Sequence, residues 1–171
     1  KYDALVGSLS DFENNTTRTQ NKNGLFLHFD GRDFAEKQSD TPSSKRFKPY
    51  KYHNEKSANK NSHNRLYISD NLDAMKAMMP EYQGTVDLAY LDIPYNMPST
   101  RVKQAYSDSF DGTCDLLSVL LPRLKLVQKL LSYTGLVALS VSEHEVAYVK
   151  LLMDDVFGRE NIINNIVIEM A

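Results

Sequence analysis

The sequence predicts an α/β fold of parallel strands with flanking helices, and three observations carry that prediction. Short apolar runs rich in strand formers recur at residues 66–68, 86–91 and 136–141. Stretches with helical apolar spacing separate them, and acidic or hydroxyl side chains follow the ends of the runs. Strands alternating with helices of about a dozen residues form parallel sheets through right-handed crossovers. Ligands of such sheets gather at the carboxyl ends of the strands, so Asp70, Asp92 and residues 140–143 are expected along one edge.

Residues 1–23 are polar, with Asn, Thr and Gln crowding 14–23, and read as weakly structured. Asn15-Thr16-Thr17 has glycosylation spacing but is discounted, because nothing in the chain suggests secretion. A short strand is expected at 25–29, then a turn at Asp30-Gly31, a helix over 32–37 and a loop at Thr41-Pro42-Ser43-Ser44. Leu66-Tyr67-Ile68 reads as a strand, and Ser69-Asp70-Asn71 after it carries side chains that start helices. Leu72, Met75, Ala77, Met78 and Met79 then recur at helical spacing until Pro80, which is expected to stop the element. Residues 86–91 form the next strand, ending abruptly at Asp92-Ile93-Pro94-Tyr95-Asn96. After a loop containing Gly112, a leucine stripe predicts a helix over 115–131, with Pro122 a kink or late start and Gly135 its close. A buried strand at 136–141, a helix over 146–157 and a further strand at 161–168 complete the chain.

At 171 residues and 19.5 kDa, the chain has room for one domain or one domain with an appendage. The composition divides it into an N-terminal extension and basic linker over 1–64 and a second unit over 65–171. The formal net charge of -2 excludes a uniformly basic nucleic-acid coat protein, yet it hides an uneven distribution. Residues 45–65 carry seven basic side chains against Glu55 alone, while 66–171 carry eight basic and fourteen acidic. Within the basic segment, Lys45, Arg46, Lys48 and Lys51 alternate with Phe47, Tyr50 and Tyr52, which suits phosphate and base contacts. The alternative for this segment is a solvated linker. A single cysteine, Cys114, cannot form an internal disulfide or a thiolate zinc site, and no metal ligands are assigned. With no apolar run of about 18 residues, a cytoplasmic setting without membrane contact is expected. The seven glycines never stand two apart, so neither a G-x-G dinucleotide loop nor a phosphate loop exists, and a nicotinamide-dependent oxidoreductase is disfavoured.

Asp92-Ile93-Pro94-Tyr95 is the most specific feature. Pro94 fixes its own backbone angle and pushes Ile93 towards an extended conformation, which holds nearby carbonyls in a defined direction. An acid and a fixed carbonyl can accept two N–H bonds from an exocyclic amino group of a nucleobase, whose lone pair is otherwise delocalised into the ring. Two acceptors draw that nitrogen towards tetrahedral geometry and stabilise the positive charge that grows as it attacks. Tyr95 offers a face on which a flipped base can stack, and one that favours a nearby sulfonium methyl. The structural alternative is an Asx turn at Asp92 with ordinary packing of Tyr95.

The stretch NRLYISDNLDAMKAMMPEYQGTVDLAYLDIPYN, residues 64–96, resembles the amino-methylating DNA methyltransferases of the permuted β order, and most closely the modification subunits of type III restriction systems. The likeness continues through Tyr106-Ser107-Asp108-Ser109-Phe110, PRLKLVQKLLSYTGLVALSVSEHEV and KLLMDDVFGRENIINNIV, and reaches upstream to Gly31-Arg32. The resemblance implies a Rossmann-like sheet, S-adenosyl-L-methionine as cofactor, DNA as substrate, a homodimer and a restriction subunit as a further partner. It assigns catalytic positions to Asp92, Ile93, Pro94 and Tyr95, matching the family's D-P-P-Y, and cofactor contacts to Asp70, Asn71 and Asp92. Asp70 is equally well read as a helix N-cap. Asn96 follows the tetrad and is assigned to the DNA side with the four basic residues. Tyr106, Asp108 and Phe110 fall in a loop that either closes over the base or packs at the surface.

Three departures qualify the match. Ile93 replaces the first proline, keeping its carbonyl but adding a free N–H. Ser142, Glu143 and His144 stand where the family has paired aspartates, so no role is carried there, and His144 reads as solvated. Leu116 replaces a tryptophan, which reads as a packing change. The family's F-x-G-x-G loop and target-recognition region follow the matched segment in this gene order and are not among the 171 residues, so 65–171 reads as the N-terminal part of the catalytic domain, inactive alone. The chemistry expected of the intact protein is methylation of adenine N6. Cytosine N4 methylation and a non-catalytic relative that binds DNA or a partner are the alternatives.

Overall fold

The structure, a computed structural model, describes residues 27–50, 63–96 and 110–168. They form, in order, α1 (Arg32–Asp40), α2 (Asn71–Tyr82), β1 (Val86–Asp92), α3 (Thr113–Leu130), β2 (Leu131–Ser140), α4 (Val146–Phe157) and a 3-10 turn at Arg159–Asn161. The α/β class and the parallel pairing of β1 with β2 agree with the sequence-based expectation.

The leucine stripe of α3 explains the arrangement. Leu116, Leu117, Leu120, Leu121, Leu124, Leu126, Val127 and Leu130 are all buried, so the apolar surface wraps most of the helix and cannot be covered from one side. α1, α2, α4 and β2 all pack on it. Phe29, Ala35, Ile93, Val149 and Leu152 join its leucines in one core, each fully buried leucine contributing about 1.5–3 kcal/mol. That packing carries the helix through Pro122, whose missing N–H removes one ladder bond at a cost of roughly 3 kcal/mol. Pro122 is therefore an interior residue and not a late start. Arg123 folds back beside it, donating from Nη1 to the Val119 carbonyl at 2.7 Å. Pro80 likewise fails to stop α2, which runs to Tyr82 and closes with the Gln83 N–H on the Met79 carbonyl at 3.1 Å.

β1 and β2 pair in register from Leu88 with Leu136 to Asp92 with Ser140, and the extra residues between Leu131 and Leu136 form an irregularity opposite Asp87. Gly135 sits in that irregularity and does not cap the helix, since a Cβ there would stand 2.6 Å from the Val86 carbonyl oxygen. Side chains alternate across the pair. Leu91 and Leu139 pack on the core, whereas Leu88, Tyr90 and Leu136 lie exposed on the opposite face, which Asp92 and Ser140 share by register.

Two expected strands are not formed, and a third falls partly outside the described residues. Leu66 and Ile68 are each 87% exposed in an irregular segment, and residues 162–168 run irregularly after the 3-10 turn. Strand propensity yields a strand only where a neighbouring backbone offers a ladder, and among the described residues none does so for these segments. Of the strand expected at 25–29, Leu27-His28-Phe29 is irregular and the rest lies outside the described residues. No helix among the described residues is long and apolar enough to cross a membrane.

Residues ahead of the basic linker belong to the same core. Gly31 precedes α1 at φ 88°, close enough to α3 that a Cβ would meet Ser118 Oγ at 2.7 Å. Arg32, only 4% exposed, then donates to the Leu27 carbonyl at 2.6 Å, Glu36 Oε1 at 3.1 Å and Asp155 Oδ2 of α4 at 2.5 Å. The fork of the guanidinium thus ties α1 to α4 across the core helix. Arg32→Ala should cost about 3–5 kcal/mol, because it leaves the Asp155 carboxylate in a site built for a pair, and urea unfolding monitored by circular dichroism measures it.

Candidate active site

The candidate site is built where β1 ends. Pro94 has no N–H to continue the ladder, so the strand stops and the chain turns. Alternation sends Asp92 and Ile93 to opposite sides. Asp92 is exposed, and Ile93, 7% exposed, is buried in the core with the α3 leucines. An isoleucine in place of the ring residue therefore restrains this backbone by packing.

Asp92 sits in a chain of hydroxyls. Ser140, its register partner, donates to Asp92 Oδ1 at 2.9 Å, and the Tyr95 hydroxyl donates to the same oxygen at 3.2 Å. Tyr90 Oη lies 3.1 Å from Ser140 Oγ. Since the single Ser140 proton is committed to Asp92, Tyr90 is the donor in that pair. Among the described residues no hydrogen bond reaches Asp92 Oδ2, so one carboxylate oxygen stays open to an N–H donor. Half-buried Tyr95 is held at both ends, by its hydroxyl on Asp92 and by its carbonyl, which accepts from Ser142 Oγ at 2.8 Å.

Asn96 turns its amide inward. At φ 51° it adopts a left-handed backbone uncommon outside glycine, donates from Nδ2 to Glu145 Oε1 at 2.6 Å and accepts the Phe110 N–H on Oδ1 at 2.9 Å. Glu145 was not singled out in the sequence. Its clue in the sequence is a carboxylate at a helix start, just after the 140–143 segment expected at the carboxyl edge. It is 5% exposed, stands at the N-cap position of α4 without capping it through its side chain, and also accepts from Thr113 Oγ1 at 3.2 Å. Glu143 and His144 beside it are exposed. Leu116 is fully buried in the core, as a packing change requires. Tyr106 and Asp108 lie outside the described residues.

Asp70 is the N-cap of α2, its Oδ1 accepting from the N–H groups of Leu72 at 2.9 Å and Asp73 at 3.3 Å. Arg123 of α3 grips the same end, meeting Asp70 Oδ2 at 3.2 Å and Asn71 Oδ1 at 2.6 Å. The exits of α2 and α3 are tied by bonds from Gly84 and Thr85 to the carbonyls of Lys129 and Leu130. Both helices therefore begin towards the carboxyl edge, as expected for Asp70, though none of its bonds goes to the Asp92 cluster. Asp70 remains more than half exposed, with carboxylate lone pairs to spare.

Of the basic residues, Lys45 bonds Asp73 in the first turn of α2, Arg46 turns back on the carbonyls of Ser43 and Lys45, and Lys48 is exposed; Lys51 lies outside the described residues. Among the described residues no group of His, Cys, Asp and Glu is placed to hold a metal ion.

The strand end thus joins an exposed carboxylate to a tethered aromatic ring, an arrangement able to accept N–H bonds and present a flat face. Residues 86–171 match the model of the DNA methylase family of N6 and N4 methyltransferases, and the chain belongs to that family. It resembles the type III modification subunits: it is 34% identical over 170 residues to the StyLTI Mod subunit of Salmonella typhimurium, covering 84% of this chain and 26% of that protein. It is 38% identical over 108 residues to the type II methyltransferase M.KpnI of Klebsiella pneumoniae, covering 60% and 26%. The EcoP15I Mod subunit of Escherichia coli is 24% identical over 173 residues, covering 85% and 27%. The chain thus spans about a quarter of the length of these relatives.

The Lys45 bond to Asp73 has a pH signature. The hydrogen bond from Lys45 holds the Asp73 carboxyl below its ordinary value of 3.8, and Asp73 holds Lys45 above 10.5. A depressed acid stabilises above its unfolded value and loses that contribution as pH falls through the folded one; a raised lysine does so in mirror image. The contact should therefore contribute fully between pH 3.8 and 10.5, and be lost only as pH falls through the lowered folded value of Asp73 or rises through the raised folded value of Lys45. Lys45→Ala should return Asp73 towards 3.8, read by carboxyl-carbon NMR titration.

Proposed function

We propose that this chain carries the amino-group-binding part of a DNA methyltransferase acting on adenine N6 of a flipped base, as the modification subunit of a type III restriction-modification system. The observation that carries this reading is Asp92 at the end of β1, with Oδ1 saturated by Ser140 and Tyr95, Oδ2 open, and the Tyr95 ring tethered beside it. Kinship with type III modification subunits supports the substrate class and a restriction partner.

In this mechanism Asp92 Oδ2 accepts one hydrogen of the exocyclic amine, and the carbonyl of Ile93, held by the buried side chain, accepts the other. The nitrogen lone pair leaves conjugation with the ring and points away from both acceptors. Tyr95 stacks on the base, its hydroxyl bond to Asp92 fixing the ring plane. Asp92, which accepts the amine hydrogen, is also placed to receive the proton that the amine sheds.

The donor set suits S-adenosyl-L-methionine, which supplies an electrophilic methyl on a sulfonium. Asp70 keeps free lone pairs for the hydroxyls of a ribose while its cap and Arg123 bonds hold it still, and Asn71 is steadied by the same arginine. The electron-rich face of Tyr95 favours a cationic methyl group near it. The basic segment with Lys45, Arg46, Lys48 and Lys51 serves the phosphate backbone, Lys45 exchanging Asp73 for phosphate when DNA arrives.

The full-length protein should transfer labelled methyl from S-adenosyl-L-methionine to duplex DNA, recovered as N6-methyladenine after nucleoside digestion. Recovery as N4-methylcytosine would reassign the target base. Tyr95→Ala should lower the rate by about 100-fold or more while unfolding free energy moves by about 1 kcal/mol; undiminished transfer removes its role. Neutralising Lys45, Arg46, Lys48 and Lys51 together should reduce the slope of log affinity against log salt by up to about four. An unchanged slope returns the segment to a linker.

A further inference from the structure

Glu145 is a carboxylate in the wrong place for stability alone. It is 5% exposed, and its Oε2 is buried without a hydrogen-bond partner. A neutral glutamine could accept the same two bonds on Oε1, so the charge is not needed merely to satisfy Asn96 and Thr113. What the side chain supplies is reach: its Oε1 meets Asn96 Nδ2 at 2.6 Å.

That bond grips a consequential point. Asn96 is the residue after the Asp92-Ile93-Pro94-Tyr95 segment, in a left-handed conformation that asparagine tolerates better than most residues and that its side-chain bonds fix here. Its other amide end accepts the Phe110 N–H. Ser142, three residues before Glu145 and bonded through its carbonyl to the Glu145 N–H, holds the carbonyl of Tyr95. One turn, 142–145, thus clamps two consecutive residues at the exit of the segment. Thr113 brings the first turn of α3 to the same oxygen.

We propose that Glu145 is a positioning residue, which sets the backbone direction of the Asp92–Tyr95 segment by fixing Asn96, and with it the spacing between Asp92 Oδ2 and the Tyr95 ring. The proposal rests on the reading that this segment holds the target base. Glu145 touches neither base nor cofactor. Its effect falls on the rate of transfer with little change in ligand affinity, because only the transition state is sensitive to sub-ångström placement of the acceptors.

The test is a double-mutant cycle in the full-length protein with two readouts: single-turnover methyl transfer into duplex DNA, and deuterium exchange of the peptide carrying the Phe110 amide. Glu145→Ala and Asn96→Ala should each slow transfer about 10- to 100-fold, with KM for DNA and cofactor within about threefold. Each should speed Phe110 exchange, and the double variant should be no slower than the worse single one by more than about threefold. Glu145→Gln, which keeps the acceptor, should recover most of the rate. If Glu145→Ala does not fold, Glu145→Asp, which keeps the charge but falls one methylene short, takes its place in the cycle. Additive losses, or unchanged Phe110 exchange on losing the Glu145 reach, would overturn the proposal. A wild-type protein that transfers no methyl would instead overturn the methyltransferase reading, while the exchange cycle still decides whether Glu145 holds Asn96.

Discussion

The structure depends on the burial of one helix. α3 presents leucines around most of its circumference, and a helix of that kind is stable only when neighbours cover it on several sides. α1, α2, α4 and the sheet are those neighbours. Because α3 connects β1 to β2, its burial also dictates that the strands run parallel, with Asp92 beside Ser140 at the same end. The first turn of α3 reaches that end too, through Thr113 and Glu145. The site is a by-product of where a leucine-rich crossover places its two flanking strands.

At the strand end, period-two alternation separates two tasks that a single residue could not perform. Ile93 faces the core and supplies rigidity, while Asp92 faces outward and keeps its carboxylate accessible. Neither hydroxyl bonded to Asp92 lies next to it in sequence. Ser140 comes from the partner strand and Tyr95 from the turn, so the carboxylate reports on both.

Much of this was legible in the sequence, for identifiable reasons. The α3 stripe, the two paired strands and α4 have strong periodicity, and periodicity survives without tertiary information. The acid and aromatic of the tetrad announced themselves because Pro94 confines what the backbone can do there. Proline misled at Pro80, beyond which α2 runs on to Tyr82, and at Pro122 the packing of α3 outweighs one lost bond. Strand propensity misled at Leu66-Tyr67-Ile68 and 162–168, where a ladder needs a partner that propensity cannot supply. Gly135 looked like a helix cap, and only the register of β2 against Val86 explains it as a close approach of backbones. Glu145 and Arg32 were the hardest to see, because a buried charge looks in sequence like any solvated one until its partners, 49 and 123 residues away, are brought to it.

The parallel pairing has a consequence for the order of events at the ribosome. Asp92 and the serine that bonds it are 48 residues apart, and the whole of α3 must emerge between them. At about 5–20 residues per second, that interval lasts roughly 2–10 s. During it β1 has no partner edge and its acid no hydroxyl from Ser140, while α3 can already coil against α1 and α2, the neighbours that precede it in the chain. The helix that the finished protein buries is therefore positioned to be the template on which the second strand is later laid down.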